Sequence, residues 1–137
     1  MRKEERSYKM FLDDIQTAMS RIAEYIEGYD FEHFKRDYKT VDAVIRNFEI
    51  IGEASKKLDE SIKVKYPDVP WKEMFYLRNK VSHEYFGVDY EIIWDVATNY
   101  LPENKIQIDQ IIDKEKRKSK RSAKKAHTPN RVDRPAR

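Results

Sequence analysis

Residues 8–26, YKMFLDDIQTAMSRIAEYI, decide the fold class. Tyr8, Phe11, Ile15, Met19, Ile22 and Ile26 recur at steps of three and four, with Met10, Ala18 and Ala23 beside them. That spacing predicts a single apolar stripe on an α-helix. Gly28, followed by Tyr29 and Asp30, ends it as a C-terminal glycine would. Phe31 to Tyr38 is short and mixed, enough for one helical turn. Thr40 is the expected N-cap of a second long helix. Its stripe is Val41, Val44/Ile45, Phe48, Ile51 and Leu58, with Ala54 and Ser55 on a small-residue side. Gly52 lies inside that helix, where it costs about 1 kcal/mol relative to Ala, so a close neighbouring helix is expected there.

The same period continues downstream. Tyr66-Pro67-Asp68-Val69-Pro70 is a turn, and Pro70 sits where a helix start tolerates a missing N–H. A third helix is expected from Trp71 to Phe86, with Trp71, Met74/Phe75, Val81 and Tyr85 in phase and Gly87 as its stop. Asp89 should cap a fourth helix carrying Ile92/Ile93, Val96/Ala97 and Tyr100. Pro102 either kinks that helix or opens a fifth, which carries Ile108 and Ile111/Ile112. No segment alternates apolar and polar residues as a half-buried strand would. The expected fold is all-α, an antiparallel up-and-down bundle of four to five helices.

Charge divides the chain. Residues 114–137 hold 11 Lys/Arg and 2 Asp/Glu, a balance of +9, whereas residues 1–113 hold 17 and 23, a balance of −6. The expected organisation is a helical domain over 1–113 and a basic C-terminal tail over 114–137, into which the last helix runs and frays before giving way to disorder, since the tail is too poor in apolar residues to order itself. With no cysteine there is no disulfide, thiolate nucleophile or Cys-based zinc site. Three glycines leave no room for a phosphate-cradling Gly-rich loop. The N-terminus, Met-Arg-Lys-Glu-Glu-Arg, is no signal peptide, and no apolar run approaches the length of a membrane span. A cytoplasmic chain that does not enter the membrane is expected.

One stretch combines residues that can do chemistry: Leu77-Arg78-Asn79-Lys80-Val81-Ser82-His83-Glu84-Tyr85-Phe86-Gly87. RNA is cut without a metal when its own 2′-hydroxyl attacks the adjacent phosphate. That step needs a proton carrier and a cation for the extra charge on the phosphorane. Histidine titrates near neutrality and arginine stays charged, so His83 and Arg78 form a minimal pair for it. On an ideal helix Asn79 and His83 stand at i and i+4, about 40° apart, so Asn79 can orient the imidazole. Arg78 and His83 are about 140° apart on the same wheel. One phosphate is therefore reached by both only if the arginine curls round or a second subunit completes the site. No metal site and no cofactor are expected.

The stretch resembles the HEPN superfamily, and more closely its HepT-like branch, whose signature Arg-x4-His-x-Tyr is matched by Arg78, His83 and Tyr85, with Asn79 after the arginine. Ile51-Gly52-Glu53-Ala54, Val69-Pro70-Trp71, Tyr85-Phe86-Gly87-Val88-Asp89 and Trp94 with Leu101-Pro102 resemble family segments in family order, over about residues 8–112. The resemblance implies the toxin of a two-gene toxin–antitoxin module, an endoribonuclease with Arg78 and His83 catalytic and Asn79 supporting. It also implies a homodimer, with higher assembly open, whose two chains line one cleft. The implied partners are an RNA substrate and a minimal nucleotidyltransferase antitoxin that attaches AMP to Tyr85. A helical dimer that binds a nucleotide or a nucleotidyltransferase without cutting is the alternative. Glu53 has two readings, a residue of the cleft or a solvated helix residue. The tail lies outside the family pattern. Its Lys116, Arg117, Lys118, Lys120, Arg121, Lys124 and Lys125 are candidates for gripping RNA phosphates.

Overall fold

The computed structural model describes residues 3–82 and 89–133, with side chains over 8–77 and 89–121. Seven α-helices and one π-turn follow in order: α1 Lys3–Ile26, α2 Phe31–Arg36, α3 Tyr38–Lys57, α4 Glu60–Lys65, α5 Trp71–Ser82, α6 Tyr90–Asp95, the π-turn Val96–Tyr100 and α7 Leu101–Asp133. No strand occurs among the described residues, and no helix there is long and apolar enough to cross a membrane. The all-α bundle is what the period of three and four requires. Four long rods form it; the six-residue helices α2 and α4 turn the chain between rods, and a third six-residue helix, α6, leads through the π-turn into α7.

Gly28 ends α1 in the left-handed region, at φ 79°, where a side chain would be strained. Asp37, not Thr40, caps α3. Its carboxylate accepts from Thr40 N at 3.3 Å and Thr40 Oγ1 at 2.8 Å, while its own N–H closes α2 on the carbonyls of His33 and Phe34. Tyr29 donates to the same carboxylate at 2.6 Å. The helix therefore starts three residues earlier than the threonine suggests, because α2 and α3 are joined by a single residue that serves as the cap of both.

Helix α3 packs between α1 and α5. Its buried face holds Val41, Val44, Phe48, Ile51 and Ala54, and Gly52 is buried beside them. Facing it, α1 buries Leu12, Ile15, Ala18, Met19 and Ile22, and α5 buries Trp71, Met74 and Leu77. The start of α1 (Phe11, Asp14) shares a cleft of about 300 Å³ with the end of α3 (Glu53, Lys57), so the two rods run antiparallel. Among polar core groups, Asn47 donates to the Ala43 carbonyl at 2.8 Å.

Asp89 caps α6 as expected, accepting from Ile92 N at 3.1 Å. Trp94 seats α6 on α2, its ring 5.1 Å from Phe34 and 6.4 Å from Phe31. Pro102 neither breaks the rod nor starts a separate one. Val96 and Leu101 both keep right-handed helical angles, and Leu101 N–H reaches back five residues to the Val96 carbonyl. A proline ring collides with the carbonyl four residues before it in an α-helix, and the wider π-turn makes room for that ring.

The last helix crosses position 113. Helix α7 continues to Asp133, and its inward stripe of Leu101, Ile108 and Ile111 extends to Glu115, which is 4% exposed. The basic run thus begins as part of a packed helix. Contacts made by α1 and α4 with that stripe supply the order that its own composition cannot.

Candidate functional site

Helix α5 is fixed at its start. Trp71 Nε1 donates to the Tyr66 carbonyl at 2.9 Å, and the Pro70 carbonyl accepts the Met74 N–H at 3.0 Å. Trp71, Met74 and Leu77 then point into the core at steps of three. This anchoring sets the phase in which the helix backbone carries Arg78 and Asn79 through its last turns. Seven residues beyond Ser82, the chain is fixed again where Asp89 caps α6 and Ile93 is buried. The described chain is thus fixed at the start of α5, whose backbone carries Arg78 and Asn79, and again at the start of α6.

Arg78 and Asn79 lie on the described backbone of α5, while their side chains fall outside the described residues. His83 and Tyr85, with Gly87 and the expected end of the third helix at Phe86, also lie outside them. Glu53 is half-buried on α3 and lines the cleft against α1, with Lys57 Nζ 3.8 Å from its carboxylate. Lys116, Arg117, Lys118, Lys120 and Arg121 are exposed along α7, and Arg117 pairs with Asp113. Lys124 and Lys125 stand on the α7 backbone, their side chains outside the described residues.

A second polar centre, which the sequence reading missed, surrounds Glu115. Lys65 Nζ donates to Glu115 Oε2 at 2.8 Å, Tyr66 OH donates to the same oxygen at 2.5 Å, and Tyr8 OH donates to Oε1 at 3.2 Å. Three elements, α1, the end of α4 and α7, thus meet on one carboxylate. Burial pushes its pKa up, but the hydrogen bonds from Lys65, Tyr66 and Tyr8 and the Lys65 charge outweigh that and hold it below the ordinary value. The Glu115 hydrogen bond raises Lys65. Burial, then the Glu115 hydrogen bond, raises the Tyr66 phenol. Nearby, Lys9 donates to Ser119 Oγ at 2.6 Å and Gln16 to Asp109 Oδ1 at 2.7 Å, which fixes α7 antiparallel to α1. The one signal in the sequence was phase: position 115 continues the Ile108–Ile111 stripe at i+4.

The Arg-x4-His-x-Tyr signature and the all-α bundle can be set beside known proteins. A family model described as ribonuclease HepT-like matches residues 15–111. The chain is 46% identical over 107 residues to a Methanocaldococcus jannaschii protein named "Putative RNase", covering 78% of this chain and 88% of that one. It is 42% identical over 106 residues to the "Probable ribonuclease HepT" of Thermococcus cleftensis, covering 77% and 96%. A Caldanaerobacter subterraneus protein named "Putative RNase" is 41% identical over 106 residues, covering 77% and 95%. No solved structure gives a significant match.

Proposed function

The chain belongs to the HepT-like ribonuclease family, and from that premise we propose that it is a metal-independent endoribonuclease, the toxin of a two-gene module. The observation that carries this reading is that the family match spans residues 15–111 and so contains the whole signature, Arg78 to Tyr85, with every signature residue intact.

The chemistry follows from the residue types. His83 takes the proton from the ribose 2′-hydroxyl as its oxygen attacks the adjacent phosphorus, and the imidazolium returns a proton to the departing 5′-oxygen. The products are a 2′,3′-cyclic phosphate and a 5′-hydroxyl, with no net gain or loss of protons. Arg78 stabilises the phosphorane through a charged, planar fork matched to phosphate oxygens. Asn79 orients the imidazole. Two copies of the chain supply the residues of one cleft.

The antitoxin is a minimal nucleotidyltransferase that uses ATP. The Tyr85 phenol oxygen attacks the α-phosphorus, a proton leaves the phenol, and pyrophosphate departs. The added phosphate competes for Arg78, and the adenosine covers the cleft.

The test is cleavage of a labelled RNA in EDTA by the purified full chain and by His83→Ala. A loss of at least about 100-fold is expected, with helicity by circular dichroism unchanged. Undiminished cleavage by His83→Ala overturns the mechanism. Incubation with ATP and the cognate nucleotidyltransferase should add one or more AMP units, absent in Tyr85→Phe.

A further inference from the structure

The polar centre at Glu115 gathers positive charge on the surface above it. Lys65 and Lys114 place their ammonium groups 5.5 and 5.9 Å from the centre of the Tyr66 ring. Lys118 stands one turn beyond Lys114, on the same side of α7. Among the described residues the carboxylate that faces these cations is Glu115, which is buried and committed to Lys65, Tyr66 and Tyr8. The Lys118 ammonium is pushed below its ordinary value by the adjacent Lys65, first through a hydrogen bond and then through its charge. Crowding of this kind is relieved by an anion from outside.

We propose that Lys65, Lys114 and Lys118, held around Tyr66 by the buried Glu115, form a binding site for the phosphodiester backbone of RNA, remote from the cutting centre and continued along α7. Three features favour a polyanion strand over a single small anion or an acidic protein. First, the cations continue along the helix: Lys116, Arg117, Lys120 and Arg121 are also exposed, and of the carboxylates between 113 and 121 only Asp113 is exposed, already paired with Arg117. At about 1.5 Å per residue, the run from 114 to 121 is roughly 10 Å long, the scale of a few backbone phosphates. Second, residues 1–113 carry a balance of −6, so a strand approaching the body meets attraction here and repulsion over most of the remainder. Third, lysine ammoniums act as point charges on phosphate without fixing base identity, which suits a grip that tolerates many sequences.

The site lies at the opposite end of α5 from the signature. Tyr66 is tied to Trp71 at the start of that helix, and Ser82 ends it about 16 Å further along the axis. A strand held here is positioned several nucleotides from the bond to be cut. Substrate identity as RNA rests on the ribonuclease reading above, and the two are tested separately.

The experiment measures binding of a fluorescently labelled 2′-O-methyl RNA, which keeps the phosphates and lacks the attacking hydroxyl. It compares the full wild-type chain with Lys114→Gln/Lys118→Gln, a variant that leaves the Lys65–Glu115 pair intact. The variant should bind about tenfold more weakly near 0.1 M salt. Its log–log salt slope, taken between about 50 and 200 mM, should fall by about 1.4, two phosphate contacts at single-strand stoichiometry. A control, Lys35→Gln/Lys39→Gln, should stay within about twofold of wild type in affinity. On cleavable RNA, KM should rise about tenfold in the Lys114/Lys118 variant with kcat unchanged.

Equal affinity and slope in the variant, or equal weakening in the control, overturns the site. The first result would point to an acidic protein as its occupant, the second to a diffuse field. Lysine-dependent binding by a chain that cuts nothing would leave the site standing and remove the ribonuclease reading. Cutting without lysine dependence would do the reverse.

Discussion

Helix α1 is held in two different ways along its length. From Leu12 to Ile22 it buries aliphatic side chains against α3, and that seam contains Phe48, Val44 and Ile51 with almost no exposed surface. From Tyr8 to Gln16 it also reaches α7 through polar side chains: Tyr8 to Glu115, Lys9 to Ser119 and Gln16 to Asp109. The apolar seam is non-directional and supplies stability in proportion to the area removed from water. The polar seam is directional. It contributes less free energy, but it fixes the register of α7 and makes part of the stability depend on pH.

The comparison breaks first if the apolar seam is not dominant. Phe48, 1% exposed, fills the space between rods, and Phe48→Ala should lower the unfolding free energy by about 3–5 kcal/mol through lost transfer and the cavity left behind. Urea unfolding followed by circular dichroism reads this as a lower midpoint at constant slope. A loss near 1 kcal/mol would mean that the core collapses around the gap and that α1 and α3 are less tightly keyed than their burial implies.

The next effect belongs to the polar seam. Glu115→Ala strips two phenols and one ammonium of their acceptor, and should cost about 2 kcal/mol at pH 7. The dependence on pH has a definite sign. The folded-state carboxyl sits below its ordinary value of 4.5, so the unfolded chain takes up the proton first. The stabilisation is complete above about pH 4.5 and is lost as the pH falls through the lowered folded value. The gap between wild type and Glu115→Ala should therefore narrow below about pH 4.5. A gap that stays constant down to pH 3 would show that packing of the side chain, not its charge, holds α7 in register.

These two seams were unequally legible in the sequence. Ile15, Met19 and Ile22 announce themselves because burial of a helix face repeats every three to four residues, and Pro70 and Asp89 act where a chain can start a helix. Glu115 was hidden because Lys114-Glu115-Lys116 has the composition of a solvated run, and composition carries no record of what α1 and α4 bring to it. Thr40 and Asp37 are both good caps. The choice depends on where α2 stops, and a six-residue helix leaves too short a periodic signal to locate its end. In the signature, Arg78, Asn79 and His83 could be read as residue types suited to one reaction, whereas the part given to Tyr85 came only from the family resemblance. The structure adds the fixed start of α5, whose backbone carries Arg78 and Asn79, and the capped start of α6.

The smallest effect concerns a carboxylate that makes nearly the same bonds as Glu115 but is only half-buried. Asp37 accepts from Tyr29 OH, Thr40 Oγ1 and Thr40 N, two hydroxyls and a backbone donor, against the two phenols and one ammonium on Glu115. The Tyr29 hydrogen bond, then those of Thr40, lowers its pKa, so its contribution is also present at neutral pH and lost in acid. Water reaches a half-buried site more readily than the buried Glu115, so it replaces these partners at lower cost when they are removed. Asp37→Ala should therefore lower Tm by only a few degrees, mostly as the loss of an N-cap, and Asp37→Asn by less, since asparagine caps nearly as well. Equal losses from Asp37→Ala and Glu115→Ala would mean that burial does not set the worth of these bonds. The distinction between the two seams would then rest on geometry alone. A small loss at Asp37 beside a large one at Glu115 would show that the buried carboxylate fixes α7, and that the half-buried one only marks where α3 begins.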